Sequence, residues 1–130
     1  VARVLVVDDD PDILNLVRFQ LRRAGHRVAT ATSADEAEAL VDDRGAPDVA
    51  VLDVMMPGTD GFELLVRLRA RAGMENLPAI YLSARVLPED VERGASLGAV
   101  YLTKPFVASA LLAAIQKATS AAADEQGGDW

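Results

Sequence analysis

VLVVDDDPDILNLVRFQL, residues 4–21, is the stretch that decides the fold. Val4 to Val7 is an unbroken run of Val and Leu with no polar alternation, the pattern of a strand covered on both faces. Asp8, Asp9 and Asp10 stop it abruptly. From Pro11 to Ala24 the apolar residues Ile13, Leu14, Leu16, Val17 and Leu21 recur at helical spacing, with Pro11 suited to a first turn and Gly25 to a C-terminal stop. A doubly buried strand that ends in carboxylates and runs into an amphipathic helix is the opening half of a parallel β-α-β unit.

The same unit recurs down the chain. A short strand from Arg27 to Thr30 meets Ser33, whose hydroxyl can cap a helix while Glu36 reaches back as a capping box, and that helix runs to about Asp43. Asp48 to Asp53 is a third apolar strand with an acidic end. It is followed by the loop Met55-Met56-Pro57-Gly58-Thr59-Asp60-Gly61 and a helix carrying Phe62, Leu64, Leu65 and Leu68 inward. Pro78–Leu82 then reads as a strand, Pro88–Leu97 as a helix, Ala99–Leu102 as a strand, and Phe106 to about Ala118 as an Ala-rich final helix. Strand then helix, repeated throughout, predicts an α/β fold: a five-stranded parallel sheet with five helices on its two faces, (βα)5 and doubly wound. The domain is expected over residues 1–119, with the small and acidic residues 120–130 as a tail or the start of a linker.

Bulk composition narrows the functions. With 130 residues, half of them apolar, the chain can bury one core but not two. There is no cysteine, which excludes disulfides and thiolate metal sites and leaves oxygen as the plentiful ligand. Twenty acidic against thirteen basic side chains, net charge −7, oppose direct binding of nucleic acid. Apolar stretches are soon broken by charge, Gly or Pro, so no membrane span or secretory signal is read and a cytoplasmic setting is expected. The sole histidine, His26, has no second ligand near it in sequence, and no GxGxxG or GxxxxGK[ST] pattern supports a nucleotide site.

In an open parallel sheet, ligands sit beyond the carboxyl ends of the strands, where strand order reverses. Asp8 and Asp9 end the first strand, Asp53 the third and Ser83 the fourth, while Lys104 follows the fifth. Carboxylates held that close raise one another's pKa unless a cation or a proton relieves them. Mg2+, with Mn2+ as a substitute, suits such an incomplete oxygen cage better than Ca2+, which takes six to eight ligands. An Asp beside that metal can act as nucleophile on a phosphoryl group, with a cationic side chain offsetting charge on its oxygens. Lys104 is placed for that part, one of only two lysines beside eleven arginines.

VLVVDDD at 4–10, LDVMMPGTDGFELL at 52–65, YLSA at 81–84 and YLTKPF at 101–106 together resemble the response-regulator receiver domain of two-component signalling. The resemblance implies a flavodoxin-like fold with Asp53 as phosphoacceptor and Asp9 as a direct Mg2+ ligand. It further implies Asp8 as an acidic partner acting through metal-bound water, and the main-chain carbonyl of Met55 completing the coordination. Ser83 matches the hydroxyl that bonds a phosphoryl oxygen, and Lys104 the lysine that pairs with another. The Lys104-Pro105 peptide is expected to be cis. Tyr101 matches the aromatic that turns inward when Ser83 moves, and Met55 and Arg85 the positions that tune hydrolysis. A sensor histidine kinase or phosphotransfer protein would be the donor, and a downstream protein or an attached output domain the recipient. The signal would leave through the face of the fourth helix, fifth strand and fifth helix. The receiver would catalyse only its own phosphorylation and dephosphorylation.

Two other readings compete. A pseudo-receiver would bind partners without phosphorylation, although all the site positions carry competent residues. An aspartate-nucleophile phosphatase would want a second Asp two residues after the nucleophile, where this chain has Met55. The segment GASLGAVYLTKPF is one residue shorter than the usual receiver approach to the fifth strand and lacks its acidic pair, and the final helix VASALLAAIQKATS is poor in charge. Both departures argue against the charged dimer contacts common in receivers that drive transcription factors.

Overall fold

The computed structural model describes residues 1–84, 88–96 and 99–119. Five strands, β1 (Arg3–Val7), β2 (Arg27–Ala31), β3 (Val49–Asp53), β4 (Ala79–Ser83) and β5 (Val100–Thr103), alternate with five helices. The helices are α1 (Pro11–Arg23), α2 (Ala34–Arg44), α3 (Gly61–Arg69), α4 (Pro88–Ser96) and α5 (Ala108–Thr119). All strand pairings are parallel, in the order β2-β1-β3-β4-β5, which is the expected doubly wound sheet.

Alternation within each strand sorts the core onto two faces. Leu5, Val7, Ala50, Leu52, Ala79 and Tyr81 lie under α2 and α3, whereas Val4, Val6, Val49, Val51, Ile80 and Leu82 lie under α1 and α5. Because both faces are covered, β1, β3 and β4 can be apolar at nearly every position, which is why they read as continuous runs. β5 is the least covered strand, with Val100 and Thr103 exposed and no residue fully buried. Across α4 no described side chain is buried, and Arg93 reaches back to lie 4.5 Å above the Phe62 ring.

Local chemistry sets the element ends. Asp10 caps α1 by accepting from the Asp12 N–H at 2.9 Å, and Pro11 occupies the first turn. Ser33 caps α2 through the Glu36 N–H, but Glu36 reaches one residue further back than a capping box requires, to the Thr32 N–H and hydroxyl. Asp60 caps α3 through the Glu63 N–H at 2.8 Å. β4 starts at Ala79 rather than Pro78, since Pro78 has no N–H to give the ladder; its carbonyl still accepts from Ala50. α5 starts at Ala108, two residues later than the sequence suggests, after the Lys104–Pro105 peptide, which is cis as expected. Among the described residues no helix is long and apolar enough to cross a membrane. Residues 120–130, Arg85 and Leu97 lie outside the described residues.

Candidate metal and phosphoryl site

Strand register brings the pocket together. Strand order reverses at β1, with β2 added on one side of it and β3 on the other, so the loops after β1 and β3 diverge and leave a crevice between them. Val7 of β1 pairs with Leu52 of β3, which puts Asp8 and Asp53 at the same level one step beyond. Ser83 pairs with Thr103, and Lys104 follows at once, its N–H donating to the Ser83 carbonyl at 2.7 Å. Four strand ends therefore terminate within one residue of a common level.

Asp8 and Asp53 are only 1% and 5% exposed, whereas Asp9 faces solvent at the mouth. One oxygen from each of the three carboxylates lies within 4.8 Å of the other two. The Lys104 ammonium donates to Asp8 Oδ2 at 2.7 Å and sits 3.6 Å from Asp53 Oδ1. Main chain also holds the carboxylates: the Asp10 N–H donates to Asp8 Oδ1 at 2.9 Å, and the Met55 N–H to Asp53 Oδ1 at 3.3 Å.

Electrostatics follow from this crowding. Burial first, and the charge of Asp8 second, push the Asp53 carboxyl up to about 7, against the opposing pull of Lys104 and the Met55 N–H. Burial would lower the Lys104 ammonium, but its hydrogen bond to Asp8 and the nearby charges of Asp53 and Asp8 prevail and raise it. Two carboxylates thus share one ammonium and remain short of positive charge. A hard cation held by oxygen donors from Asp8, Asp9 and Asp53 is what such a donor set accommodates, and the exposed edge at Asp9 leaves room for water and a further ligand.

The structure brings Asp8, Asp9, Asp53 and Lys104 together and places Ser83, 1% exposed, at the end of the neighbouring strand. Met55 contributes its N–H to Asp53 while its side chain is exposed beside the mouth. Tyr101 is not in the pocket: it is half-buried on β5, its ring 6.2 Å from that of Tyr81. Arg85 falls outside the described residues.

Two features went unread in the sequence. Gly61, which in the sequence is only the last residue of the loop after Asp53, lies against the main chain of Asp53: a Cβ on it would sit 2.4 Å from the Asp53 carbonyl oxygen. Only its place directly after a helix-capping Asp hinted at a tight entry. Tyr81 is fully buried between Phe62, with ring centroids 4.7 Å apart, and Tyr101, and its hydroxyl has no hydrogen-bond partner among the described residues. Nothing in a strand of the form AIYLS marks that.

Comparison with known proteins places this arrangement. Residues 4–116 match the model of the response regulator receiver domain. An uncharacterized 14.6 kDa protein of Leptolyngbya boryana is 44% identical over 115 residues, which are 88% of this chain and 87% of that one. The phosphate regulon transcriptional regulatory protein PhoB of Rhizobium meliloti is 39% identical over 88% of this chain. The match spans only 50% of PhoB, so the chain corresponds to about half of such regulators. Among solved structures, chemotaxis protein CheY4 of Vibrio cholerae superposes with a TM-score of 0.83 at 35% identity, covering 90% of this chain and 98% of its own.

Proposed function

The chain belongs to the response regulator receiver family, and on that premise we propose that it is a phosphorylation switch whose acceptor is Asp53. One observation carries the proposal: Asp53 is a buried strand-end carboxylate within 4.8 Å of two others and 3.6 Å from an ammonium. That environment is short of positive charge on one side and supplied with it on the other, as a site for an anionic phosphoryl group should be.

The donor we propose is a phosphohistidine on a sensor histidine kinase or phosphotransfer protein. The Asp53 carboxylate attacks phosphorus, a P–O bond forms as the P–N bond breaks, and the electron pair leaves with the imidazole, which takes up a proton. Asp8, Asp9, Asp53 and the Met55 carbonyl would hold Mg2+, or Mn2+ in its place. Bound there, the cation would neutralise charge on the phosphoryl oxygens. Lys104, which rests on Asp8, would turn its ammonium to one phosphoryl oxygen, and the Ser83 hydroxyl would donate to another. Exposed Met55, with Arg85, would set water access to the acyl phosphate and hence its lifetime. Ser83 and Tyr101 would carry the change to the α4, β5 and α5 face, for a downstream protein or an attached output domain. The receiver unit is assigned to residues 1–119, with 120–130 as tail or linker.

Incubation with Mg2+ and acetyl phosphate, followed by intact mass, tests the assignment. One phosphoryl adduct that is lost in Asp53→Asn is expected. No adduct points instead to a phosphorylation-independent binding module, and an adduct that survives the substitution overturns Asp53 as the acceptor. Sustained turnover of a phosphomonoester would mean a phosphatase, for which Met55 stands where an acid is wanted.

A further inference from the structure

Gly61 opens α3, and its N–H donates to the Val54 carbonyl at 3.1 Å, closing the loop that begins at the acceptor. A Cβ built on it would lie 2.4 Å from the Asp53 carbonyl oxygen, and 3.1 Å from both the Asp53 carbonyl carbon and Val54 Cα. All three atoms are main chain, so no rotamer change relieves the contact. Gly61 is not among the glycines at positive φ, and the demand for glycine is therefore one of space rather than of backbone conformation.

The helix side of this contact cannot easily yield. Asp60 seats the first turn of α3 by accepting from the Glu63 N–H, and Phe62 is buried edge-on against Tyr81. Displacement would fall on the Asp53–Val54 peptide, which carries the acceptor carboxylate on one side and leads to the Met55 N–H that holds it on the other. Gly58, in the same loop, is the opposite case: φ is +79° and nothing lies within 4 Å of its would-be Cβ.

We propose that Gly61 is a positioning residue for phosphoryl transfer: the absent Cβ lets α3 press on the main chain of Asp53 and fixes where its carboxylate meets Asp8, Asp9 and Lys104. The proposal rests on Asp53 as acceptor and adds the element that aims it.

Gly61→Ala and Gly58→Ala separate aiming from stability. Both variants should melt earlier than the parent, the first from steric conflict and the second from a positive φ that alanine resists. Mg2+ affinity is read by calorimetry and single-turnover labelling by acetyl phosphate is read by intact mass, each per folded molecule. Gly61→Ala is expected to weaken Mg2+ binding roughly 10-fold and slow labelling by about 10- to 100-fold. Gly58→Ala should keep both within about twofold. Parental Mg2+ affinity and labelling in Gly61→Ala, or equal losses in the two variants, overturn the proposal. If Gly61→Ala does not fold, Asp60→Ala decides. It unseats α3 without adding atoms, so several-fold weaker Mg2+ binding supports aiming through α3 and unchanged binding refutes it. A parent chain that binds Mg2+ but never labels would defeat the acceptor assignment alone, and the Mg2+ affinities would still decide the role of Gly61.

Discussion

Asp53→Asn should make the metal-free domain more stable, and increasingly so as pH rises. Burial and Asp8 push the Asp53 carboxyl from 3.8 to about 7. A carboxyl raised on folding contributes stability that is complete below its unfolded pKa and is lost as pH climbs through its folded one. A displacement of about 3 units at about 1.4 kcal/mol each sets a ceiling of roughly 4 kcal/mol above pH 7, of which about 2–3 kcal/mol develops between about pH 5 and pH 8. Asparagine carries no charge to bury, so the substituted domain escapes this loss. The advantage of Asp53→Asn over the parent should therefore widen by about 2 kcal/mol across that interval. Urea unfolding in chelator at both pH values measures it, and taking the difference between the two proteins cancels the titrating groups that do not interact with Asp53, His26 among them. Mg2+ at a hundredfold excess over its dissociation constant should then return about 2.7 kcal/mol to the parent and much less to the variant. Parallel pH profiles for the two proteins in chelator would refute the premise that Asp53 bears an unrelieved charge.

Other substitutions isolate other parts. Lys104→Met removes the shared ammonium from Asp8 and Asp53, and should cost the metal-free domain about 3 kcal/mol above pH 7 while abolishing stable labelling; urea unfolding and intact mass read the two effects. Tyr81→Phe deletes a buried hydroxyl with no hydrogen-bond partner among the described residues, and should be neutral or stabilising by up to about 1 kcal/mol in the same unfolding assay. Arg93→Gln removes the cation over the Phe62 ring and should cost about 0.5–1 kcal/mol, with hydrogen exchange rising in α4 before the rest of the domain. Asp48, where burial alone would raise the carboxyl, is held below its ordinary value by the Arg3 side chain and N–H. Its contribution is present above about pH 4 and is lost as pH falls. Asp48→Asn should therefore flatten the acid limb of the stability profile.

Much of the fold was legible because both faces of the sheet are covered. Runs such as VLVV and VAVL admit no amphipathic alternation, and Asp8 and Asp53 stop them where the pocket lies. Legibility failed where the deciding contact is between distant main-chain atoms. The space under Gly61 is set by how α3 lands on the end of β3, and no local pattern encodes that landing. Glu36 illustrates the same limit on a smaller scale: the spacing from Ser33 predicts a capping box, yet the carboxylate selects Thr32, which offers both an N–H and a hydroxyl. Tyr101 shows a second kind of limit, since its side chain position depends on the packing of β5 against neighbours far away in sequence.

The pocket draws its members from parts of the sheet held with different firmness. β1 and β3 are buried along almost their whole length, so Asp8 and Asp53 stand on strands that cannot shift without opening the core. Their mutual repulsion is tolerated because that frame does not yield. Lys104 comes instead from the end of β5, an edge strand with exposed residues at both ends, next to an α4 that buries no described side chain. Local opening costs least where few apolar contacts must be given up. A ligand that recruits the ammonium away from Asp8 therefore works against the most yielding element of the pocket, while the carboxylates that bind it stay in place. The resulting displacement should be greatest along β5 and α4 and least along β1 and β3, because burial, rather than distance from Asp53, sets which main chain can move.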